Sequence, residues 1–239
     1  MNKKLALERI EMISKDKQSF SKYVAFYYSN EIFGGPSVYF HSKVIDFIRN
    51  NDYASLLKNE RFMECIYATL ASWGMHRMGS GGSKMKNFDE FKDSIQMNEI
   101  LLMRLRDYRL DTLPEENKMR ATELLKELFN KLRVMQSNSN LVGNSKVIHH
   151  LLPDLVPPID REYTLRFFYG SLTSKYSPQF SKNEETDIFI NIVNYFWTIR
   201  KKVSLTENDY DKTKSFNTSI PKVIDNAIIG FIQSVTSPD

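Results

Sequence analysis

An all-α globule of about nine or ten helices is predicted for this chain, and three observations carry that prediction. Apolar residues recur at three- and four-residue intervals through most of the 239 residues, which is the helical period. No segment alternates apolar and polar residues with the period of two that marks a half-buried strand. Gly34-Gly35-Pro36, Pro114, Pro153, Gly170 and Pro221 fall at the edges of the periodic segments, where helices start and stop.

The elements follow in order. Residues 18–33 place Phe20, Val24, Tyr27 and Tyr28 on one side of a helix that the Gly-Gly-Pro run ends. Pro36 opens a second over 36–50, with Val38, Val44, Ile45 and Ile48 inward. Residues 59–78 form a strongly apolar helix expected at the centre of the core, and a glycine loop follows at 79–86. A helix over 87–109 buries Phe88, Phe91, Ile95, Leu102 and Leu105. Another spans 114–135, with Pro114 in its first turn and Glu115 and Glu116 suited to the positive end of the helix dipole. After a turn at 137–143, short helices are expected at 144–152 and 160–170. A polar segment then leads to a helix over 184–204, and a surface loop covers 206–219. The closing helix begins at Ser219-Ile220-Pro221 and repeats Val223, Ile224, Ala227, Ile228, Phe231 and Val235 at helical spacing. Residues 1–239 read as one helical domain, divisible into two lobes, with a hairpin-like motif at 120–170.

Composition narrows the class. Hydrophobic residues make up 41% and charged residues 26%, which suits a folded globule and not a disordered chain. No apolar run reaches the length of a membrane span. The N-terminus, MNKKLALERIEMISKD, opens like a signal peptide, but acidic residues interrupt it before an apolar core develops, so a cytoplasmic protein is expected. Cys65, the single cysteine, lies on an apolar helical pattern and is expected to be buried and inert. The net charge of +4 allows a local nucleic-acid patch without requiring one.

Chemistry concentrates in Asn140–Arg161, NLVGNSKVIHHLLPDLVPPIDR. Gly143, Asn144, Ser145 and Lys146 read as a tight turn entering a helix, where exposed N–H groups and a lysine can receive phosphate. The same residues suit an ordinary helix start capped by Asn144 or Ser145. His149 and His150 are adjacent, so they diverge on a helix, and one is expected to pack while the other meets solvent or a ligand. With no His-Glu-x-x-His or Cys-x-x-Cys pattern, neither a metal nor another cofactor is expected. Asp160, after Pro157-Pro158 and before Arg161-Glu162-Tyr163, suits a helix cap and a cleft-facing acid equally. A second candidate surface is the loop Gly79–Lys86 flanked by Trp73 and Arg77, which reads either as a plain surface connection or as a place where Arg77, Lys84 and Lys86 touch a nucleic-acid backbone. Arg200-Lys201-Lys202 ends a helix, where cations suit the dipole. Arg104, Arg106 and Arg109 interleave with Asp107 and Asp111 as a solvated face.

Residues 120–170 resemble the helix-hairpin-helix DNA glycosylase superfamily, whose pattern is helix, Leu-x-Gly-x-Gly turn, helix, then a loop with Pro and Asp. Leu141-Val142-Gly143 matches the end of the turn and Pro157-Pro158-Ile159-Asp160 the loop, and SKVIHHLLPDLVPPIDREY is similar to uncharacterised relatives of that superfamily. The resemblance implies a multi-helix fold of that type and DNA as partner. It also implies that Asp160 orients or stabilises the reacting sugar and that a lysine of the second hairpin helix attacks the anomeric carbon. This chain departs from the pattern in having Leu141 in place of the first turn glycine. Aligning Gly143 with the last turn glycine puts Ser145 at the nucleophile position. Lys146, one residue or about 100° further round, is then expected to point elsewhere, and lyase chemistry is not expected.

The candidate catalytic residues are thus Asp160 and Lys146. The candidate nucleic-acid contacts are Gly143, Asn144, Ser145, Lys146, Arg77, Lys84 and Lys86. The leading expectation is a DNA-binding protein like the base-excision glycosylases, with altered or absent catalysis. The alternative is a helical interaction or regulatory protein with no nucleic-acid role, since fold does not fix function. A hydrolase using Asp160 and a histidine as acid and base is a third.

Overall fold

A computed structural model describes residues 3–30, 34–75, 84–137, 139–174 and 180–236. The described chain is all-helical and contains no strand. Its only extended pairing is an isolated bridge between Met85 and Met135.

Side-chain caps set several helix starts. Helix α1 covers Lys3–Ile13, and α2, Lys17–Ser29, begins at Asp16, whose carboxylate accepts from the Ser19 N–H at 2.7 Å. Helix α3, Pro36–Asn50, starts on the expected proline. The short α4, Tyr53–Leu56, is capped by Asp52, and α5, Glu60–Leu70, by Asn59. The chain then runs through a wide turn over Ala71–Met75, where Gly74 takes φ +77°, a region open to glycine and strained for other residues. The helix expected over 59–78 therefore ends early. Beyond it, the expectation for Arg77 and most of the glycine loop falls outside the described residues.

The segment expected as one helix at 87–109 is two, α6 (Phe88–Gln96) and α7 (Glu99–Leu105). Asn98 explains the break. Its buried side-chain amide donates to the Ser94 carbonyl at 2.8 Å, and its backbone N–H closes a tighter turn on Ile95. Helix α8, Glu115–Lys131, follows Pro114 as expected. Helix α9, Leu141–Leu151, begins three residues before the predicted start. A single wide turn, Arg161–Leu165, leads into the four-residue α10, Arg166–Tyr169. Helix α11, Lys182–Val203, has a full capping box between Ser181 and Glu184. Helix α12, Ile220–Thr236, closes the described chain.

The core forms around α12. Every residue of it from Ile220 to Ile232 is buried, so it is a central helix with no solvent face. It lies against α2 closely enough that a Cβ on Gly230 would fall 2.0 Å from the Tyr23 carbonyl oxygen. Phe231 meets Tyr23 edge-to-face at 5.2 Å and Phe167 at 5.5 Å, tying α2 and α10 to the same helix. On the far side, Phe129 of α8 stacks on Phe189 of α11 at 4.6 Å. Arg9 of α1 reaches the carbonyls of Arg166 and Gly170 and so caps the C-terminal end of α10.

Gly230→Ala tests the close crossing of α2 and α12. The obstacle is backbone, which cannot rotate away as a side chain can. The substitution is expected to cost about 3 kcal/mol, read as a lower urea midpoint at unchanged slope. A wild-type midpoint would show that the helices do not pack this closely.

Candidate functional site

A cavity of about 720 Å³ opens between the wide turn after α5, helix α9, the loop entering α10, and the start of α12. Trp73 lies on one wall, Tyr163 and Phe216 on others, and Lys146, Asp160, Lys222 and Asp225 are its charged groups of most interest. They come from three separate parts of the chain.

The placement of α9 decides which side chain enters. Glu185, buried on α11, accepts from the Ser139 hydroxyl at 2.7 Å and the Asn140 N–H at 2.9 Å, so the helix starts on a carboxylate from 45 residues away. Asn144 points into the core and donates to the carbonyls of Phe129 and Leu132 at 3.1 and 3.2 Å. Gly143 packs on Met135, where a Cβ would stand 2.3 Å from the sulfur. The Ser145 hydroxyl donates to the Val142 carbonyl at 3.0 Å and accepts from the Ile159 N–H at 3.3 Å. These bonds correct the expected phosphate-binding turn: Gly143, Asn144 and Ser145 lie within helix α9 and are buried, with the Asn144 and Ser145 side chains turned into the protein. They also correct the rotation assigned to Lys146. With Ser145 turned into the protein, Lys146 reaches the cavity one turn on from Val142 and shares the lining with Asp160.

Lys146 is desolvated but reachable from the cavity. Its Nζ lies 5.1 Å from the centre of the Trp73 ring. Burial lowers the pKa of its ammonium; the charges of Asp160 and Asp225 oppose that shift, and Lys222 adds to it. Asp160 holds the N-terminus of the turn at Arg161–Leu165 by accepting from the Tyr163 N–H at 2.6 Å. It remains half-buried on the cavity wall, so the cap and the cleft-facing position coincide.

Lys222 and Asp225 form a second pair, on the first turns of α12. The ammonium donates to Asp225 Oδ2 at 2.6 Å and to Asn226 Oδ1 at 3.0 Å, and both side chains are almost wholly buried. Burial raises the Asp225 carboxyl pKa, while Lys222 pulls it down. Sequence reasoning missed this pair. Its signal was present: two opposite charges three residues apart in a helix whose other residues are mostly apolar.

Three buried histidines support the aromatic wall. His150 Nδ1–H donates to the Lys146 carbonyl at 2.7 Å, which leaves its Nε2 to accept from His41 Nδ1–H at 3.1 Å. His41 Nε2 then accepts from the Thr218 hydroxyl at 3.1 Å. His149 Nδ1–H donates to the Val156 carbonyl at 2.7 Å, and its Nε2 is buried with no hydrogen-bond partner among the described residues. The expectation that one of His149 and His150 meets solvent is corrected, since both are fully buried. The His41 ring stacks near Trp73 at 5.9 Å and contacts Phe216 at 5.1 Å. Among the described residues no group of His, Cys, Asp and Glu side chains is arranged to hold a metal ion.

The second predicted surface is not brought to this site. Lys86 pairs with Glu90 at 3.3 Å, and the Lys84 carbonyl accepts from the Gln136 N–H at 2.8 Å; neither residue lines the cavity. Arg77 lies outside the described residues. Cys65, expected to be buried, is half-exposed, and partial burial raises its thiol pKa. No described helix is long and apolar enough to cross a membrane.

The histidine cluster carries a pH dependence. Burial holds His150 down to about 4 and His41 and His149 well below their ordinary value. A histidine with a depressed folded pKa contributes stability above the unfolded value near 6.5 and loses it as pH falls toward the folded one. Unfolding free energy is expected to drop between pH 6.5 and 4.5, with His150 alone worth on the order of 3 kcal/mol over its full window. Urea midpoints that do not change over that interval would show that the three rings are not buried as neutral groups.

Comparison with protein-family models, with curated proteins and with solved structures gave no match to this chain.

Proposed function

We propose that this chain is a DNA-binding protein that receives an extruded nucleotide in the cavity, in the manner of the helix-hairpin-helix glycosylases that residues 141–163 resemble. One observation carries the reading: Lys146 and Asp160, the two residues singled out as catalytic candidates, line a single aromatic-walled cavity. Its volume of about 720 Å³ falls in the range of small-ligand sites and accommodates a base with its sugar. A base taken out of a duplex loses its stacking partners, and flat side chains such as Trp73 replace them.

The reaction assigned to the pair is cleavage of the bond between C1′ and the base nitrogen. The bonding electrons leave with the base, which takes up a proton, and positive charge develops on the sugar. Asp160 is the carboxylate that stabilises that charge. The acceptor at C1′ is water or the neutral Lys146 amine. Attack by the amine forms the Nζ–C1′ bond as the base leaves; the C1′–O4′ bond of the resulting aminal then breaks, the amine's two protons pass to the base and to O4′, and an imine remains between Nζ and C1′. Desolvation favours this route, because only the unprotonated amine is a nucleophile.

The test combines binding with trapping. A duplex holding an abasic site is expected to bind with an affinity that falls steeply as salt rises. Borohydride is expected to reduce the imine and join protein to DNA covalently, and Lys146→Gln to abolish the adduct while leaving binding within about threefold. Absence of binding, or binding insensitive to salt, removes the DNA reading. Binding without an adduct leaves a DNA-binding protein whose Lys146 is not a nucleophile.

A further inference from the structure

The ion pair at the start of α12 has no part in the chemistry assigned to Lys146 and Asp160, yet it faces the same cavity. Burying two charges for stability alone gains little, since apolar residues of similar size serve as well. A buried pair that lines a cleft is better accounted for by what it presents to that cleft. Lys222 spends two of its three N–H bonds, on Asp225 and Asn226, and its Nζ stands 5.0 Å from the centre of Phe216, itself a cavity wall. Asp225 Oδ2 receives Lys222, whereas Oδ1 has only a 3.5 Å contact from the Thr164 hydroxyl. One strong donor and one strong acceptor thus remain, side by side on one helical turn and of no net charge together.

We infer that Lys222 and Asp225 form a reading pair for the hydrogen-bonding edge of an uncharged nitrogen heterocycle, with Lys222 donating to its carbonyl oxygen and Asp225 accepting from the adjacent ring N–H. The ligand class is a lactam-bearing nucleobase of the uracil or oxopurine type. Trp73 and Phe216 supply flat apolar surface for its faces. A phosphate or carboxylate is disfavoured, because Asp225 would repel it as strongly as Lys222 attracts it. A base that lacks the N–H leaves Asp225 buried and unpaired, and such a loss discriminates far more than a change of shape. The inference deepens the proposed function and uses it for the identity of the ligand, but it does not need DNA as the carrier of the base.

Calorimetric titration of the full chain with 2′-deoxyuridine and with its N3-methyl analogue reads the edge directly. The methylated nucleoside is expected to bind at least tenfold more weakly. In the double variant Lys222→Met with Asp225→Leu, which removes both charges together, the two nucleosides are expected to bind alike. Asp225→Asn, which keeps the shape of the side chain, is expected to reduce the preference at least fivefold. A duplex carrying a tetrahydrofuran abasic analogue has no base to read, and it is expected to bind wild type and double variant within twofold of each other. Equal binding of the two nucleosides to wild type, or no binding of either, overturns the reading pair. So does a double variant that retains the preference. Failure of the abasic duplex alone removes the DNA proposal and leaves the reading pair standing.

Discussion

The burial of α12 on all sides is the constraint from which much of the structure follows. A helix with thirteen consecutive buried residues has no face on which polar groups can meet water, so each must be resolved inside the protein. Gly230 is what lets α2 approach, and the aromatic contacts of Phe231 fill the space around that crossing. Asn226 is drawn into bonds with the Phe216 carbonyl and Asn217 side chain at 3.1 and 3.2 Å, which fixes the loop before α12 against it. Lys222 and Asp225 reach nothing but the cavity wall and pair with each other. The same constraint that organises the core thereby delivers a charged pair to a cavity wall.

Helix α9 shows how a distant residue can set the register of a site. From its own sequence, Gly143 looks like the turn, and the glycosylase-like alignment puts Ser145 at the nucleophile position. Glu185 instead satisfies the amide at Asn140, and Asn144 bonds the end of α8, so the helix begins earlier and is held in one rotation. The rotation sends Ser145 to the Ile159 amide and Lys146 to the cavity. An argument of about 100° per residue is sound for a helix. It led astray here because the reference position, Ser145, was assigned to the wrong face.

Legibility in the sequence follows from how local the determining interaction is. The starts of α3, α8 and α12 were readable because Pro36, Pro114 and Ser219-Ile220-Pro221 act on their own residues. Asp160 was readable as a cap, since a cap needs only the amide three residues on. The break at Asn98 was not, because asparagine within a helical pattern ends it only when its amide finds a carbonyl in place of water. His41 was unreadable as part of the site: its ring is joined to His150 across 109 residues. The pair at 222 and 225 was visible but passed over, because a helix of mixed composition usually turns its charges outward and only its neighbours show that this one cannot.

The charges around the cavity bear on what can enter it. Its lining includes Lys146, Arg161 and Lys222 on one side of the balance and Asp160, Glu162 and Asp225 on the other. Such a lining gives an anion no net attraction, and a low-dielectric wall of Trp73 and Phe216 makes bringing a free charge inside costly. A flat neutral group fares better, since it loses little hydration and gains the faces of the rings. The same wall keeps the Lys146 ammonium poorly solvated, so an apolar surface that welcomes a neutral ring also favours the neutral amine beside it. Backbone phosphates of a duplex would then have to be held outside the cavity. With Gly143–Ser145 turned inward, the DNA-binding proposal assigns that grip to the rim and the surfaces beyond it, and the cavity to the base.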